Sequence, residues 1–503
     1  MMPMESESVT KITDDLIGRD DKPCSCSARI AELIQLPAGD KITAKDLVRI
    51  PVVFRKFFSR FINLSWLVTL FCLFLLPAAQ VWAGAYSSSA HGNSSTGVDR
   101  STIDSKYSAF ATGSCAHCHE QHASLEGSEP APTSPSGPNA AMVFSPEEKL
   151  CFTCHDGSAA GGSSRDILTQ FNETYRHPID LYSGRHTLSK LEYGKNGAPF
   201  RGSLRHVECT DCHNPHVAQP GTQTFDTSNP QNNNLVSNVL KGVWGVDPTF
   251  GAAWTVPTSF TEKIPAVKEY QICLKCHSNY AFNTGSGSYS VSDSPSGLSS
   301  VTDQAMEFNP ANASYHPVVT TANLGNANSL LASRLGPPWN SAPGDQTMYC
   351  SDCHGDTDSS KPDGPHGSTN KYLLKWGSWP TQSDGTTLWT LNDLSNSGIF
   401  CKLCHTLSGS NTGGGNWGHF FWSYNTDSSG GNNVHTQSWH RNYSCVTCHS
   451  AVPHGSKHER LIVYASDPAP YNYNGNTAKI TKFTFESGSY STSDCQATCS
   501  GIH

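Results

Sequence analysis

Residues 445–455 read CVTCHSAVPHG and contain the two features that recur along the chain. The first feature is the unit Cys-x-x-Cys-His, formed here by Cys445, Cys448 and His449. The second is a further histidine beside a proline, here His454. Outward from this stretch the unit occurs seven times, with other histidines in a regular order between its copies. A unit repeated this often is typical of a repeat architecture, so we expect the fold to follow these units.

The seven units account for fourteen of the nineteen cysteines. In chain order they are Cys115-Cys118-His119, Cys151-Cys154-His155, Cys209-Cys212-His213, Cys273-Cys276-His277, Cys350-Cys353-His354, Cys401-Cys404-His405 and Cys445-Cys448-His449. Chance would give on the order of 0.03 such units. The spacing is the attachment signature of c-type haem, in which two thiols bond to the porphyrin and the next histidine binds the iron. We therefore predict seven covalently attached haems, each with its unit's histidine as the first axial ligand.

Zinc and disulfides are the competing interpretations of paired cysteines. Two Cys-x-x-Cys pairs can build a four-cysteine zinc site. Neither interpretation explains a histidine after every second cysteine, and an odd number of pairs would leave one pair unmatched. The sequence therefore favours haem.

The second axial ligands are sought among the fifteen histidines outside the units. These histidines reveal blocks in which a unit, a histidine, a second unit and a second histidine follow one another. The histidines at the two positions are His177 and His216 in the first block, His316 and His366 in the second, and His440 and His454 in the third. The N-terminal part resembles half of a block, with His91 before its unit and His122 after it.

The simplest assignment gives each haem the next histidine downstream. On this assignment the second ligands are His122, His177, His216, His316, His366, His440 and His454. His206 competes with His177, and His419 and His435 compete with His440. His91 is left over, either as a ligand in its own chain or as a ligand to a haem of a neighbouring subunit. Haem iron with both axial positions filled is typical of electron carriers, whereas a catalytic haem keeps one position open.

The composition predicts a chain with little regular structure. Only 36% of the 503 residues are hydrophobic, and glycine (42) and proline (30) are frequent. Such a chain cannot form several large apolar cores from its own side chains. We expect a mostly irregular fold with short α-helices and few β-strands, wrapped around a chain of stacked haems in repeated two-unit modules. The formal net charge of -8 does not suggest a nucleic-acid or DNA partner.

The expected modules divide the chain at the haem units. Residues 1–83 form an N-terminal extension and a cleaved export signal, in which Arg55, Lys56 and Arg60 precede an apolar stretch; a retained membrane anchor is the alternative. The remaining segments are a first half-module at 84–140, two-haem modules at 141–225, 226–370 and 371–465, and a C-terminal β/tail segment at 466–503.

The C-terminal segment holds two further predictions. Residues 461–465 and 479–486 alternate apolar and polar side chains and are expected to form a hairpin or an interaction edge. Cys495 and Cys499 are expected to form a disulfide. A degenerate eighth haem site with His503 is the other interpretation of these cysteines.

The repeated units with their HP and PH histidines resemble the outer-surface multihaem cytochromes of metal-reducing bacteria. The closing stretch CVTCHSAVPHG followed by KHERLI is similar to extracellular cytochromes that polymerise into filaments, the cytochrome nanowires. The resemblance covers about residues 85–465, and seven units depart from the even haem numbers of those filament proteins. It implies a continuous row of haems, with a histidine of one subunit, such as His91, able to ligate a haem of the next.

Together these observations predict that the protein is an exported seven-haem cytochrome. We expect it to carry electrons and not to act as an enzyme. Its partners would be other cytochromes and an extracellular electron acceptor. One expected form is a homopolymeric filament. The expected location is the cell surface, or alternatively the periplasm. A multihaem reductase of a small oxyanion is an alternative, but the Cys-x-x-Cys-Lys unit of many such enzymes does not occur in the sequence. A soluble periplasmic electron carrier is the other alternative.

Overall fold

The chain divides into two units, Met1–Ala79 and Gln80–His503. The computed structural model describes residues 86–119, 142–143, 147–158, 166–179, 207–290, 300–322, 335–390, 392–393, 398–405, 442–483 and 495–497. The predicted export signal lies outside these ranges, as do the side chains of the predicted disulfide. Within the described ranges, no helix is long and apolar enough to cross a membrane.

The described helices are short. The α-helices are α1 (Glu147–Phe152), α2 (Cys209–Cys212), α3 (Glu269–Cys273), α4 (Asn279–Phe282) and α5 (Gln304–Glu307). The 3₁₀ helices are Ser105–Ala109, Cys115–His117, Gln170–Asn172, Pro230–Asn232, Asn238–Leu240, Cys350–Asp352, Lys371–Leu373, Phe400–Leu403, Cys445–Thr447, Glu459–Leu461 and Tyr473–Gly475. Side-chain caps fix some of these starts: Asp303 accepts from the N–H of Met306 at 2.7 Å, which satisfies a free donor in the first turn of α5.

The described strands pair only in twos, always antiparallel. They are β1 (Tyr175–Arg176), β2 (Gly245–Pro248), β3 (Phe260–Lys263), β4 (Ser288–Ser290), β5 (Ser300–Thr302), β6 (Ser314–Tyr315), β7 (Gly367–Ser368), β8 (Gly455–Ser456), β9 (Ile480–Phe483) and β10 (Cys495–Ala497). The pairs are β1 with β7, β2 with β3, β4 with β5, β6 with β8, and β9 with β10. The pairs β1–β7 and β6–β8 join segments of different predicted modules.

The buried apolar side chains form small clusters beside the attachment units. The largest contains Val246, Tyr270, Leu274, Tyr280, Ala305, Phe308, Val318, Val319, Leu335, Trp339 and Met348, and Cys350, Cys353 and Cys404 pack against it. A second contains Leu374, Trp379, Trp389, Ile399 and Val446, with Cys401 and Cys445 packed against it. The apolar interior of the described chain therefore gathers where the unit cysteines lie.

Of the two stretches expected to form a hairpin or an interaction edge, 479–486 contains a strand, β9, but 461–465 does not pair with it as a strand, so the hairpin is wrong. Residues 459–461 form a 3₁₀ turn in which Arg460 and Leu461 have φ of 56° and 55°, a left-handed conformation that is incompatible with a strand. β9 pairs instead with β10, through Cys495 opposite Phe483. The only backbone hydrogen bond found between the two predicted segments within the described chain joins the Ala465 N–H to the Ile480 carbonyl, at 2.7 Å.

Candidate functional site

All seven Cys-x-x-Cys-His units fold into the same local turn. In each unit, the backbone N–H of the histidine donates to the carbonyl of the first cysteine, over 2.9–3.0 Å. This bond closes one helical turn, so the two cysteines three residues apart lie on the same side of the chain. The unit histidine follows directly on that turn. Seven copies of one turn thus present two thiols and one imidazole each.

The turns bring six of the unit histidines opposite a second histidine. The pairs, with the distances between ring centroids, are His119–His216 (5.9 Å), His155–His91 (6.3 Å), His213–His366 (6.1 Å), His277–His177 (6.2 Å), His354–His454 (5.9 Å) and His405–His316 (6.5 Å). Each pair joins one unit histidine to one histidine outside the units. The seventh unit histidine is His449; its predicted partner, His454, faces His354, and His440, predicted for the sixth unit, lies outside the described residues.

The separation within these pairs fits two axial ligands of one iron. A metal–imidazole bond is about 2 Å long, so two rings on opposite sides of one iron have centroids roughly 6 Å apart. Rings in direct van der Waals contact would lie closer. The donor set also fits, because two neutral imidazoles are the ligands of an electron-carrying haem. The residues present therefore suit haem c at six of the seven units.

The pairing follows one rule along the whole described chain. Every pair joins two adjacent predicted modules, and each junction between modules holds two pairs. At the junction of 141–225 with 226–370, His213 of the earlier module faces His366 of the later one, and His277 of the later module faces His177 of the earlier one. The other two junctions repeat this exchange, so the modules are interlocked through their histidines.

At the six units with a facing histidine, the observed ring pairs differ from the assignment of each haem to the next histidine downstream. His216 faces His119 instead of His213, and His366 faces His213 instead of His354. The reason is that short strand pairs such as β1–β7 hold each second ligand against the neighbouring module. His122 and His440 lie outside the described residues. His91 faces His155 of its own chain, which favours the in-chain alternative for this residue.

The second histidines at each junction are fixed to one another. At the middle junction, Nδ1 of His177 donates to the carbonyl of Pro365, the residue before His366, at 2.5 Å. His316 makes the same bond to Pro453 before His454 at 2.6 Å, and His91 makes it to Pro215 before His216 at 3.2 Å. We call each pair of second histidines joined in this way a clasp; the clasps are His177 with His366, His316 with His454, and His91 with His216. The proline beside each later histidine thus lies at the contact between the two histidines of a clasp.

The Nδ1 atoms of several of the paired histidines are held by acceptors. His213 is paired with the Val239 carbonyl at 3.1 Å, and His354 with the Tyr372 carbonyl at 2.8 Å. An Nδ1–H bond of this kind sets the tautomer and leaves Nε2 for a metal. Desolvation by the surrounding protein lowers the pKa of His354 to about 4, so its ring is neutral at neutral pH. A neutral imidazole is the form that binds a metal.

Two acceptors of this kind are side chains that the sequence reasoning missed. Nδ1 of His366 is paired with Oε1 of Gln170 at 2.7 Å, and Nδ1 of His454 with Oε2 of Glu307 at 2.6 Å. Both residues precede a clasp histidine by fewer than ten positions, Gln170 before His177 and Glu307 before His316. This shared placement in the repeat is the signal that could have found them.

Neighbouring units contact each other in sequence order. Both the N–H and the hydroxyl of Thr210, in the third unit, donate to Glu147 of α1, which carries the second unit, at 2.8 Å. Lys275, in the fourth unit, donates to the Asp211 carbonyl of the third at 2.6 Å. Glu269 of α3, which ends in the fourth unit, accepts two bonds from Ser351 of the fifth at 2.9 Å.

The remaining neighbouring units also lie near each other: Cys353 and Cys404 pack against one apolar cluster, and Cys401 and Cys445 pack against another. The charge of Cys154 helps to raise the pKa of Cys118, after the larger effect of burial, and Cys404 does the same for Cys353. Cys401 acts in this way on Cys445, again after burial. The seven units therefore form an unbranched row in which each lies beside the next.

The zinc interpretation finds little support among the described residues. The groups there that could hold a metal ion are Glu147 with Cys151 and Cys209, and Glu269 with Cys273 and Cys350, each within 4.8 Å. Each group takes one cysteine from each of two units and contains no histidine. Neither group is the four-ligand cysteine and histidine set of a structural zinc site.

Comparison of the chain with family models, with curated proteins and with solved structures found no match. The functional argument therefore depends on the units, the histidine pairs and their order.

Proposed function

We propose that this protein is a seven-haem c-type cytochrome, and that it conducts electrons along a row of haems. The observation that carries the proposal is the set of six histidine pairs, each joining a unit histidine to a second ring at 5.9–6.5 Å. The cysteines of each unit would attach the haem, and the two histidines would hold its iron from both sides. Haem, when bound, supplies reversible one-electron chemistry at its iron.

The chain's own residues support conduction in three ways. The contacts between successive units, such as Lys275 to Asp211, keep neighbouring sites side by side. The clasps fix the orientation of the two ligands at each junction, so that little rearrangement accompanies a change of charge. The apolar clusters around the unit cysteines exclude water from the row.

A reductase is the weaker alternative. Reduction of a bound oxyanion needs an iron with one open axial position. At six units a second histidine already lies at the separation that fits two axial ligands. We therefore propose an electron carrier, which would receive electrons from other cytochromes and pass them to an extracellular acceptor. The apolar stretch before residue 84 supports export, to the cell surface or to the periplasm.

The exchange of ligands between modules also supports an extended form of the proposal. A homopolymeric filament, in which the rows of sites of successive copies meet end to end, is this extended form. His91 has an in-chain role in this proposal, since it faces His155.

The test is to express the full chain with a haem-attachment system and to count the haems. Intact mass and the absorbance of the reduced pyridine complex should give seven haems per chain, all low-spin in magnetic resonance spectra. Cryo-electron microscopy of the secreted material would then separate filaments from discrete soluble carriers. A chain that takes up zinc and no haem would overturn the proposal, and a substantial high-spin fraction would favour the reductase.

A further inference from the structure

His366 and His454 occupy equivalent positions in consecutive modules. Each follows a proline and precedes a Gly-Ser strand, β7 or β8. The serines make the same bond: Ser368 donates to the Leu374 carbonyl and Ser456 to the Ile462 carbonyl, both at 2.8 Å. The two sites can therefore be compared by the group that contacts Nδ1 of this histidine.

The group that differs is the acceptor at Nδ1 of the histidine. At His366 it is the amide oxygen of Gln170, at 2.7 Å, and the amide nitrogen of Gln170 donates to the Pro362 carbonyl at 2.6 Å. At His454 it is a carboxylate oxygen of Glu307, at 2.6 Å. The two sites thus differ by one negative charge beside Nδ1, the ring nitrogen that would not bind the iron.

The Glu307 carboxylate is enclosed and held in place. Its side chain is fully buried, and its second oxygen accepts a hydrogen bond from the hydroxyl of Tyr471 at 2.8 Å. The backbone carbonyl of Glu307 accepts from the amide of Asn312 at 2.8 Å, which fixes the end of α5. A buried charge acts through a low dielectric and is screened little by solvent. Its effect on the neighbouring imidazole is correspondingly large.

We propose that Glu307 is a positioning residue that lowers the reduction potential of the fifth haem relative to the third. The fifth haem is the one held by His354 and His454, and the third is held by His213 and His366. A carboxylate that accepts the Nδ1–H makes the imidazole a stronger electron donor to the metal. It also places a negative charge near the iron, which stabilises the oxidised state with its extra positive charge. The inference rests on the proposed haem function.

The experiment compares variants of the full haem-loaded chain by potentiometric titration. Glu307→Gln copies the third site into the fifth, and Gln170→Glu copies the fifth into the third. Tyr471→Phe removes the competing hydrogen bond, so that more negative charge stays on the oxygen facing His454. Glu262→Gln removes a carboxylate from strand β3 that accepts a hydrogen bond from Tyr280, and serves as the control.

Glu307→Gln should raise the midpoint potential of one haem by about 59 mV, which corresponds to a tenfold change in the equilibrium constant of a one-electron couple. Gln170→Glu and Tyr471→Phe should each lower one midpoint, and Glu262→Gln should leave the titration unchanged. Unchanged midpoints in both Glu307→Gln and Gln170→Glu would overturn the inference, as would shifts of the same sign.

The haem count separates this inference from the proposed function. If the wild-type chain carries no haem, the proposed function fails. If all variants carry seven low-spin haems but their midpoints stay equal, only the role of Glu307 fails. Should Glu307→Gln lose its low-spin signal because His454 leaves the iron, the sign of the shift in Gln170→Glu decides the inference.

Discussion

The backbone N–H of His316 donates to the carbonyl of His454 at 2.9 Å, and Nδ1 of His316 donates to the carbonyl of Pro453 at 2.6 Å. These residues face His405 and His354, so they belong to the sixth and fifth sites. Two bonds thus fix the proposed second ligands of neighbouring sites to each other. A change that displaces one ligand of a clasp is therefore expected to displace both.

Gly455→Ala tests this coupling. A Cβ at Gly455 would overlap the backbone carbonyl oxygen of Glu307, so β8 must move away from α5. We expect a loss of about 1–3 kcal/mol in the free energy of unfolding, as for other overpacked sites. Chemical denaturation measures this loss. Because the clasp moves with β8, the spectra of two haems should change rather than one.

Gly336→Ala is the matched control for this variant. A Cβ at Gly336 would lie 3.9 Å from the Cys404 carbonyl oxygen, an ordinary contact. Its stability should stay within about 1 kcal/mol of the wild type. Equal losses in the two variants would contradict the coupling.

Ser351→Ala tests the contact between the fourth and fifth units. The N–H and the hydroxyl of Ser351 each donate to the buried carboxylate of Glu269 at 2.9 Å. Removing the hydroxyl leaves the buried carboxyl group of Glu269 with one partner fewer, which costs about 1–3 kcal/mol. Denaturant unfolding would measure it, with Ser341→Ala as the control because that serine is exposed and bonds locally to Pro338. A loss below about 0.5 kcal/mol would show that this contact does not hold the units together.

Asp467 provides a dependence of stability on pH. Burial acts to raise its pKa, but hydrogen bonds from His458 and Lys457 outweigh it and hold the pKa at about 2. The unfolded carboxyl has a pKa of about 3.9, so the native state gains stability above that pH and loses it as the pH falls from about 4 to 2. Asp467→Asn should lose about 1 kcal/mol at pH 7, allowing for solvent screening. The difference from the wild type should vanish near pH 2.

Unfolding midpoints at pH 7 and at pH 2–3 measure this effect. Asp345→Asn is the control, since Asp345 is exposed, and it should unfold like the wild type at both pH values. A deficit of Asp467→Asn that persists unchanged in acid would show that the ion pair with Lys457, 2.7 Å long, is not its source.

The sequence predicts the local parts of the site better than its long-range parts. The cysteine spacing indicates a single helical turn, and each unit forms one because the bond that closes it is local. Six of the eight histidines selected from the repeat face a unit histidine, but spacing did not indicate which one. The choice depends on strand pairs of two residues, such as β1 with β7, which bring together segments about 190 residues apart. Strands this short leave no periodic pattern in the sequence.

The pairing rule itself can be tested with His216→Ala. His216 follows the third unit in sequence but faces His119 of the first, with ring centroids 5.9 Å apart. We therefore expect the first haem, and not the third, to lose its second ligand. Electron paramagnetic resonance should show one of seven irons converting to a high-spin form. His458→Gln, which alters a histidine bonded to Asp467 at 3.1 Å, should leave all irons low-spin.

Combining His216→Ala with loss of one attachment unit identifies the haem that responds. When Cys115 and Cys118 are both replaced by alanine, the first haem is absent, and His216→Ala should add no further high-spin signal. When Cys209 and Cys212 are replaced instead, His216→Ala should have its full effect, because the effects of separate sites add. The opposite result would show that His216 binds the third haem, the next haem upstream in the sequence. The exchange of second ligands between modules would then be wrong.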